Sequence, residues 1–257
     1  MSKKRTPVIA VILAAAAIVG VNFADDWMSS AKDAFATPAT ESITAPSPAI
    51  DVADDYFTVV GEAQRDYEAV AGQVDYCELD ALGRAGCAFG ELTYDLRQSA
   101  QQAGRQSITV DPSGWRDNAE VQIDALPTVE GSKPYSGWFW NRSHLVADSL
   151  GGDATRENLV TGTRTQNVGS TQLHGEFAGG MAHTEVIARD YLSSQQANGC
   201  PLYYAATPNY DGEELVPRTV TVDIQSCDQV INERVIVSNT AQGWEIDYAT
   251  GQYRKAA

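Results

Sequence analysis

The last third of the chain constrains the fold most, because it consists of short strand-like segments with turn residues between them. β-branched and aromatic residues predict strands over 202–207, 219–224, 234–238 and 244–248. Strands that follow one another without an intervening helix pair as antiparallel neighbours, since a parallel pair needs a long crossover. This region therefore predicts an antiparallel sheet.

The middle of the chain adds a few helices and further short strands. Helices are expected over 55–70 and 94–103, from Arg164 onward, and over 184–196 with Thr184 as a cap. Strands are expected over 107–110, 135–141 and 159–163. Because these elements do not alternate with βαβ periodicity, we predict an α+β fold with a central antiparallel sheet flanked by helices.

The N-terminus predicts export. A basic cluster at Lys3, Lys4 and Arg5 precedes an apolar run over 7–21, which is the pattern of a secretory signal peptide. The run is at the lower edge of the ~20 apolar residues that a membrane-spanning helix needs, so residues 1–24 are expected to be a signal peptide or a membrane anchor. We therefore expect a protein that is secreted or anchored to the outer face of the membrane.

The next segment, residues 25–55, is rich in Ala, Thr, Ser, Pro and acidic residues and has little periodicity. Such a composition buries too little apolar surface to offset the entropy of ordering the chain, so a disordered linker is expected. The folded domain is expected to span residues 56–257, which is long enough for one domain of ordinary size.

The chain contains four cysteines. An even number of cysteines in an exported protein favours disulfides over free thiols, and the spacing does not resemble a zinc site. Among the alternative pairings we expect the local one, Cys77–Cys87 and Cys200–Cys227, because it closes two short loops.

The net charge of −16 argues against a protein that binds nucleic acid through a broad basic surface. It does not exclude an enzyme that holds phosphate with one metal ion and a few arginines. An acidic composition also permits a secreted glycosidase that uses two carboxylates, although no particular pair stands out.

Candidate catalytic residues lie in the segment 138–145, where Arg142 and His144 follow a predicted strand. A histidine beside an arginine suits acid–base work near neutral pH, but a single histidine is more often structural. Glu185 and Arg189 are spaced to share a helix face, and that spacing alone favours an ordinary surface ion pair. The other histidines, His174 and His183, match no catalytic position and are expected to be structural or surface residues.

Several motifs in this chain, in the order in which they occur, resemble those of the DNA/RNA non-specific endonucleases. The resemblance is to the branch of that family that contains the streptodornases. Asn-Arg-Ser-His at 141–144 is a variant of the Asp-Arg-Gly-His motif of this family, and 145–152 continues the resemblance. The segments 158–167 and 179–185 also match, and outlying matches extend the resemblance over most of residues 75–251. Several ordered motifs in one chain are more specific than the tetrapeptide alone.

The resemblance implies a ββα-metal core, in which two strands and a helix surround one divalent cation. It implies that His144 is the general base and that Asn167 is the direct ligand of the cation. Glu185 would hold or orient a water molecule on the cation, and Arg142 and Arg189 would bind phosphate. Further polar residues are expected to support the site: Asn141, Asn158 and Gln166.

The chemistry of phosphodiester hydrolysis suits these residue types. A neutral imidazole accepts a proton from water, and a divalent cation stabilises the developing negative charge as a Lewis acid. Mg²⁺ prefers oxygen ligands and keeps several waters, so it is the expected cofactor, with Mn²⁺ as a substitute. Phosphate and sugar contacts carry little sequence information, so we expect sequence-non-specific cleavage of DNA, and RNA is left open as a second substrate.

Two departures and the acidic composition leave a further alternative. Asn141 stands where the commoner motif has Asp, and Ser143 where it has Gly, so the support of His144 is left open. A catalytically weak nucleic-acid-binding or interaction protein on a nuclease scaffold is the alternative function. Joint retention of the expected catalytic and metal-binding residues argues against it, and no obligate protein partner is evident from the sequence.

Overall fold

The computed structural model describes residues 54–195 and 199–257. The strands in this part of the chain are β1 (Phe57–Gly61), β2 (Val74–Tyr76), β3 (Ala88–Leu92), β4 (Glu120–Ile123), β5 (Tyr135–Trp138), β6 (Trp140–His144), β7 (Leu159–Thr163), β8 (Gln172–Leu173), β9 (Glu176–Phe177), β10 (Leu202–Asn209), β11 (Thr219–Ser226), β12 (Asn232–Ser238), β13 (Trp244–Asp247) and β14 (Gln252–Lys255). The helices are α1 (Tyr94–Ala103), α2 (Arg164–Val168) and α3 (Met181–Ser194), with short 3-10 turns at Asp148–Leu150 and Arg156–Asn158.

Six of the strands in the described residues form the central sheet, in the spatial order β1, β12, β11, β10, β3, β2. Every neighbouring pair in it is antiparallel. Most residues of the two middle strands, β10 and β11, are buried. The Thr184 hydroxyl of α3 lies 3.0 Å from the Tyr204 hydroxyl of β10, so this helix packs against the sheet. The predicted α+β class with a central antiparallel sheet is confirmed.

An aromatic cluster anchors the start of β6. Phe139 and Trp140 are fully buried. The Phe139 ring stacks on Tyr253 with centroids 3.9 Å apart, and the Trp140 indole donates to the carbonyl oxygen of Gly251 at 3.2 Å. Strand β6 therefore starts from a fixed point in the core, which limits the movement of the residues that follow it.

The helix predicted over 55–70 is wrong, because β1 and an irregular segment lie there. Strand β1 forms the edge of the central sheet, with Phe57 opposite Val237 and Val59 opposite Val235 of β12. The consecutive β-branched residues of β1 suit this pairing, and pairing with a distant strand outweighs a weak local helical pattern.

Smaller differences concern element boundaries. The strand predicted over 107–110 does not form, and the one predicted over 135–141 divides into β5 and β6 around Phe139. Helix α3 begins at Met181 rather than at Thr184, after Gly180 has turned the chain with a φ of 54°. Strand β14, which pairs with β13, was not predicted. The helix over 94–103, the strand over 159–163 and the helix from Arg164 form as predicted.

The predicted linker over 25–55 ends too late. Asp55 is 4% exposed, and its carboxylate accepts hydrogen bonds from the backbone N–H groups of Ser170 at 2.7 Å and Thr171 at 2.9 Å. Asp55 thus belongs to the folded part, since these donors satisfy its buried carboxylate. The rest of that linker and residues 1–24 lie outside the described residues. Within residues 54–195 and 199–257, no helix has the length and apolar character to cross a membrane.

The disulfides join the cysteines in the expected local pairs. Cys77 is bonded to Cys87, which links the end of β2 to the start of β3. Cys200 is bonded to Cys227, which links the segment before β10 to the turn after β11. Both bonds therefore connect antiparallel neighbours of the central sheet.

Candidate active site

A strand–strand–helix unit positions the candidate site. Strands β6 and β7 pair antiparallel, with Trp140 opposite Thr163 and His144 opposite Leu159. Helix α2 follows β7 directly, and the Thr163 side chain caps it by accepting a hydrogen bond from the N–H of Gln166 at 2.9 Å. This local geometry brings the end of β6 and helix α2 to one pocket.

The pocket has a volume of about 440 Å³. Its lining includes four of the residues that the sequence predicts for the site: Asn141, Arg142, His144 and Asn167. The other lining residues are Arg105, Ile108, Trp115, Asn118, Trp138 and Trp140. The volume lies in the range of small-molecule pockets, which is roughly 300–1,000 Å³.

His144 is half-buried at the end of β6, and its Nε2 atom is buried without a hydrogen-bond partner. Burial lowers the pKa of His144 below its usual value; the carboxylate of Asp148 opposes this shift and the guanidinium of Arg105 adds to it. A lowered pKa keeps the imidazole neutral at neutral pH, so one of its ring nitrogens can accept a proton.

Asn167 is held in place by a side chain of β6. Its Oδ1 atom accepts a hydrogen bond from the Ser143 hydroxyl at 3.0 Å, and Ser143 is fully buried. An amide oxygen has two lone pairs, so one lone pair of Asn167 stays available to a further partner. Ser143, where the commoner motif has Gly, therefore orients the side chain of Asn167.

Arg142 is engaged on two sides. Its Nε atom donates to Asp111 Oδ1 at 2.8 Å and its Nη2 atom donates to the same oxygen at 2.5 Å. The guanidinium also lies over the Trp115 ring, 4.2 Å from its centroid. These contacts fix the guanidinium at the pocket and offset much of its charge.

Glu185 and Arg189 lie on α3 and are not among the lining residues of this pocket. Burial raises the pKa of Glu185 to about 7, an effect that Arg189 partly offsets. Arg189 pairs with Glu176 of β9, at 3.0 Å, rather than with Glu185. The ordinary ion pair that the spacing suggested is therefore not the one that forms.

The expected supporting residues occupy different places. Asn158 is buried and accepts from the N–H of Val146 at 2.9 Å, while its own amide donates to the Val146 carbonyl at 2.9 Å, so it holds the loop after His144. Gln166 is buried away from the pocket lining, with neither amide atom hydrogen-bonded. Asn141 lines the pocket, and its Nδ2 atom is buried without a partner.

The structure adds a positioning residue that the sequence did not indicate. The side chain of Asn118 brackets the backbone of Trp140, accepting from its N–H at 2.9 Å and donating to its carbonyl at 2.8 Å. This contact fixes the start of β6 within the pocket. Asn118 lies in a polar stretch of turn residues, and nothing in that local pattern distinguishes it.

The remaining histidines lie away from the pocket, one in a stacking contact and the other at the surface. His183 stacks on Phe57 with ring centroids 3.8 Å apart, and burial lowers its pKa to about 4. His174 is exposed at the turn between β8 and β9, with a φ of 51°. Neither histidine lines the pocket.

The paired strands β6 and β7 with helix α2, and with His144 and Asn167 at one pocket, define the ββα-metal class of nuclease folds. Residues 64–228 match the family model described as DNA/RNA non-specific endonuclease. A curated deoxyribonuclease from Streptococcus dysgalactiae subsp. equisimilis is 32% identical over 244 residues, which cover 77% of this chain and 72% of that protein. The chain belongs to the DNA/RNA non-specific endonuclease family and is a nuclease.

Solved structures agree with this assignment. The Sda1 nuclease with a bound zinc ion matches with a TM-score of 0.67 and 30% identity, covering 79% of this chain and 97% of that chain. NucA from Streptococcus agalactiae with a bound magnesium ion matches with a TM-score of 0.55 and 22% identity, covering 76% of this chain and 83% of that chain. At the lower identity, the likeness to NucA concerns the fold alone.

Proposed function

We propose that this nuclease is an extracytoplasmic, Mg²⁺-dependent endonuclease that hydrolyses phosphodiester bonds of DNA without sequence specificity, with RNA left open as a second substrate. The observation that supports the proposal most directly is that two suitable groups line the same pocket. These groups are the Nε2 atom of His144, which is buried without a partner, and the amide oxygen of Asn167, which Ser143 orients.

The residues present fit a single divalent cation. The described residues hold no cluster of three or more His, Cys, Asp or Glu side chains that could bind a metal, so the protein would supply few ligands. Mg²⁺ suits such a site because it prefers oxygen and keeps several waters, and Mn²⁺ would substitute for it. Asn167 would bind the cation directly and Glu185 would hold it through a water molecule. The cation would stabilise the negative charge that develops on the phosphate oxygens.

His144 would act as the general base. It would take a proton from the attacking water at Nε2; its lowered pKa keeps the imidazole neutral at neutral pH, so Nε2 can accept when the ring proton is on Nδ1. Arg142 and Arg189 would contact phosphate oxygens as forked donors once the phosphate displaces their present carboxylate partners, Asp111 and Glu176.

The absence of sequence specificity and the location outside the cytoplasm are supported by separate features. Recognition through phosphate and sugar carries little sequence information. The two disulfides persist in an oxidising compartment, and the basic and apolar N-terminal pattern favours a secreted protein or one anchored to the outer face of the membrane.

The alternative of a catalytically weak nucleic-acid-binding protein has one observation in its favour. Arg142 and Arg189 are both engaged by carboxylates, and the net charge of −16 opposes binding of a polyanion. A glycosidase is not favoured, because the lining residues of the pocket include no Asp or Glu in the described part of the chain.

Incubation of the purified protein with duplex DNA, single-stranded DNA and RNA across a Mg²⁺ titration tests the proposal. Cleavage is expected only with the cation, and a chelator should abolish it. The His144→Ala variant should keep its melting temperature and lose about 10²–10⁴ in rate, because it lacks the base. Binding of these substrates without cleavage at any Mg²⁺ or Mn²⁺ concentration would favour the alternative function.

A further inference from the structure

We propose that Trp138 is a stacking platform for an unpaired nucleobase of the substrate, at the mouth of the pocket that holds His144 and Asn167. This inference rests on the proposed function, since it concerns how the same site holds nucleic acid.

The exposure of Trp138 first singles it out. Its side chain is 54% exposed, whereas the next aromatic residues along the chain, Phe139 and Trp140, are 0% and 1% exposed. A single exposed apolar residue is ordinary on a protein surface. Trp138, however, lines the same pocket as His144 and Asn167, so a substrate bound in that pocket would lie beside its side chain.

The backbone of Trp138 is fixed on both sides. Phe139 and Trp140 anchor the chain that follows it in the aromatic core. Before it, the Tyr135 hydroxyl donates to the Trp138 carbonyl at 3.3 Å. The Tyr135 ring lies so close over Gly137 that a Cβ atom there would come within 2.3 Å of that hydroxyl oxygen. The backbone that carries the ring is therefore held in place, so binding of a ligand need not order it.

Because the protein is strongly acidic, its affinity for nucleic acid must come partly from contacts that are not ionic. The net charge of −16 weakens the attraction of phosphates to the protein. Arg142, the arginine nearest to His144 in sequence, is already paired with Asp111 and stacked on Trp115. Stacking of a base on an aromatic side chain does not depend on charge and is tolerant of sequence, because every base has a π-face.

The pocket also offers a polar partner. The Nδ2 atom of Asn141 is buried without a hydrogen-bond partner, and this residue lines the pocket, so its amide N–H donors are available to a base or phosphate oxygen. A volume of about 440 Å³ is enough for a small ligand. The faces of duplex bases are covered by their neighbours, so stacking on Trp138 requires a single strand or a locally opened duplex.

Two oligonucleotides of the same length and number of phosphates separate stacking from phosphate binding. One is an ordinary single strand, and the other carries a run of abasic sites in the middle. Their affinities are measured by fluorescence anisotropy for the full chain carrying His144→Ala, which prevents cleavage. The same measurement is made with Trp138→Leu, with Trp138→Tyr and with the matched surface control Val230→Ala added to that background.

The expected result is that Trp138→Leu weakens binding of the ordinary strand about 5- to 100-fold and leaves binding of the abasic strand unchanged. Trp138→Tyr should restore most of the affinity, because it restores a ring. Val230→Ala, which trims an apolar side chain that is 47% exposed and not part of the pocket lining, should have no effect.

Equal affinities of the two strands for the protein that retains Trp138 would overturn the inference, and so would an equal loss on both strands in Trp138→Leu. A change in the oligomeric state of Trp138→Leu without a change in base-dependent binding would also overturn it and would assign Trp138 to a protein contact. These outcomes are independent of cleavage by the unsubstituted chain, so failure of the proposed function is recognised separately.

Discussion

The surroundings of His144 determine the pH range in which it can act as a base. Burial lowers its pKa, Asp148 opposes that shift and Arg105 adds to it. Because the neutral imidazole is the form that accepts a proton, activity should be retained as pH falls below the usual histidine value of about 6.5 and should decline only below the lowered pKa.

A pH profile of kcat/KM for three proteins tests this account of His144. The acid limb of the unsubstituted enzyme is expected below about pH 6.5. Asp148→Asn should move the limb to lower pH, because the opposing carboxylate is gone, and Arg105→Ala should move it to higher pH. Shifts of the two variants in the same direction would contradict the electrostatic account.

Glu185 gives a second prediction at the residue scale. Burial raises its pKa to about 7, so the unfolded chain ionises this carboxyl at lower pH than the folded protein does. Folding therefore loses stability as pH rises from the usual carboxyl range to about 7, and the loss persists above that value. Glu185→Gln without metal should melt at a higher temperature than the unsubstituted protein near pH 8, by about 2–4 °C for each kcal/mol recovered.

The same substitution separates a metal-holding role of Glu185 from a merely structural one. Ionised Glu185 favours a nearby cation, so the Mg²⁺ requirement of the unsubstituted enzyme should fall as pH rises through about 7. Glu185→Gln should need ~10–100-fold more Mg²⁺ and should lose this pH dependence. Activity titrations at several pH values measure both effects, and an unchanged Mg²⁺ requirement would remove Glu185 from the site.

At the scale of elements, Asp55 connects three parts of the domain. Its carboxylate accepts from Ser170 and Thr171 after α2, and its carbonyl accepts from the N–H of Gly180 at the start of α3. Gly179 makes this close approach possible, because a Cβ atom there would lie 2.0 Å from an oxygen of the carboxylate.

Asp55→Ala should lower the free energy of unfolding by roughly 3 kcal/mol, because it leaves several buried donors of Ser170 and Thr171 without an acceptor. Chemical denaturation measures this loss. Asp54→Ala, one residue earlier on the exposed side, is the control and should have little effect. A loss of the same size in both variants would show that the hydrogen bonds of Asp55 are not its cause.

The elements differ in how well local sequence patterns predict them. The β-rich last third predicted β10 to β13 closely, because alternation and turn residues are local signals. Strand β1 was misread as a helix, because its conformation depends on pairing with β12, about 180 residues away in the chain. The local pattern contained no information on that partner.

The residues of the candidate site also fall into those that the sequence predicted and those that it did not. The motif and its ordered neighbours predicted Asn141, Arg142, His144 and Asn167, which line one pocket. The sequence did not indicate that Asn118 brackets Trp140, that Ser143 orients Asn167 or that Glu176 holds Arg189. These contacts join residues that are distant along the chain or lie on different elements, so they follow from packing rather than from local pattern.

At the scale of the whole molecule, the disulfides stabilise the central sheet. Loss of the Cys77–Cys87 disulfide in a Cys77→Ser, Cys87→Ser double variant should lower the free energy of unfolding by roughly 3 kcal/mol. Neither cysteine lines the pocket, so kcat at a temperature where the variant is folded should be unchanged. Denaturant curves and initial rates check the two parts, and a lost kcat in the folded variant would contradict this separation of stability from catalysis.

We propose that Asn167 binds a single catalytic cation directly. Helix α2 is capped by Thr163, and the Asn167 amide oxygen is bonded to Ser143, so a capping role does not account for its side chain. Activity measured against Mg²⁺ concentration, with melting curves recorded in the absence of metal, tests the claim for Asn167→Ala and for the matched variant Asn167→Asp, which keeps an oxygen ligand.

Asn167→Ala is expected to raise the Mg²⁺ concentration for half-maximal activity by at least about tenfold. Its melting temperature without metal should change little, and Asn167→Asp should retain most of the metal response. A wild-type Mg²⁺ profile for Asn167→Ala, or a loss of about 1 kcal/mol in metal-free stability with unaltered metal dependence, would contradict these expectations.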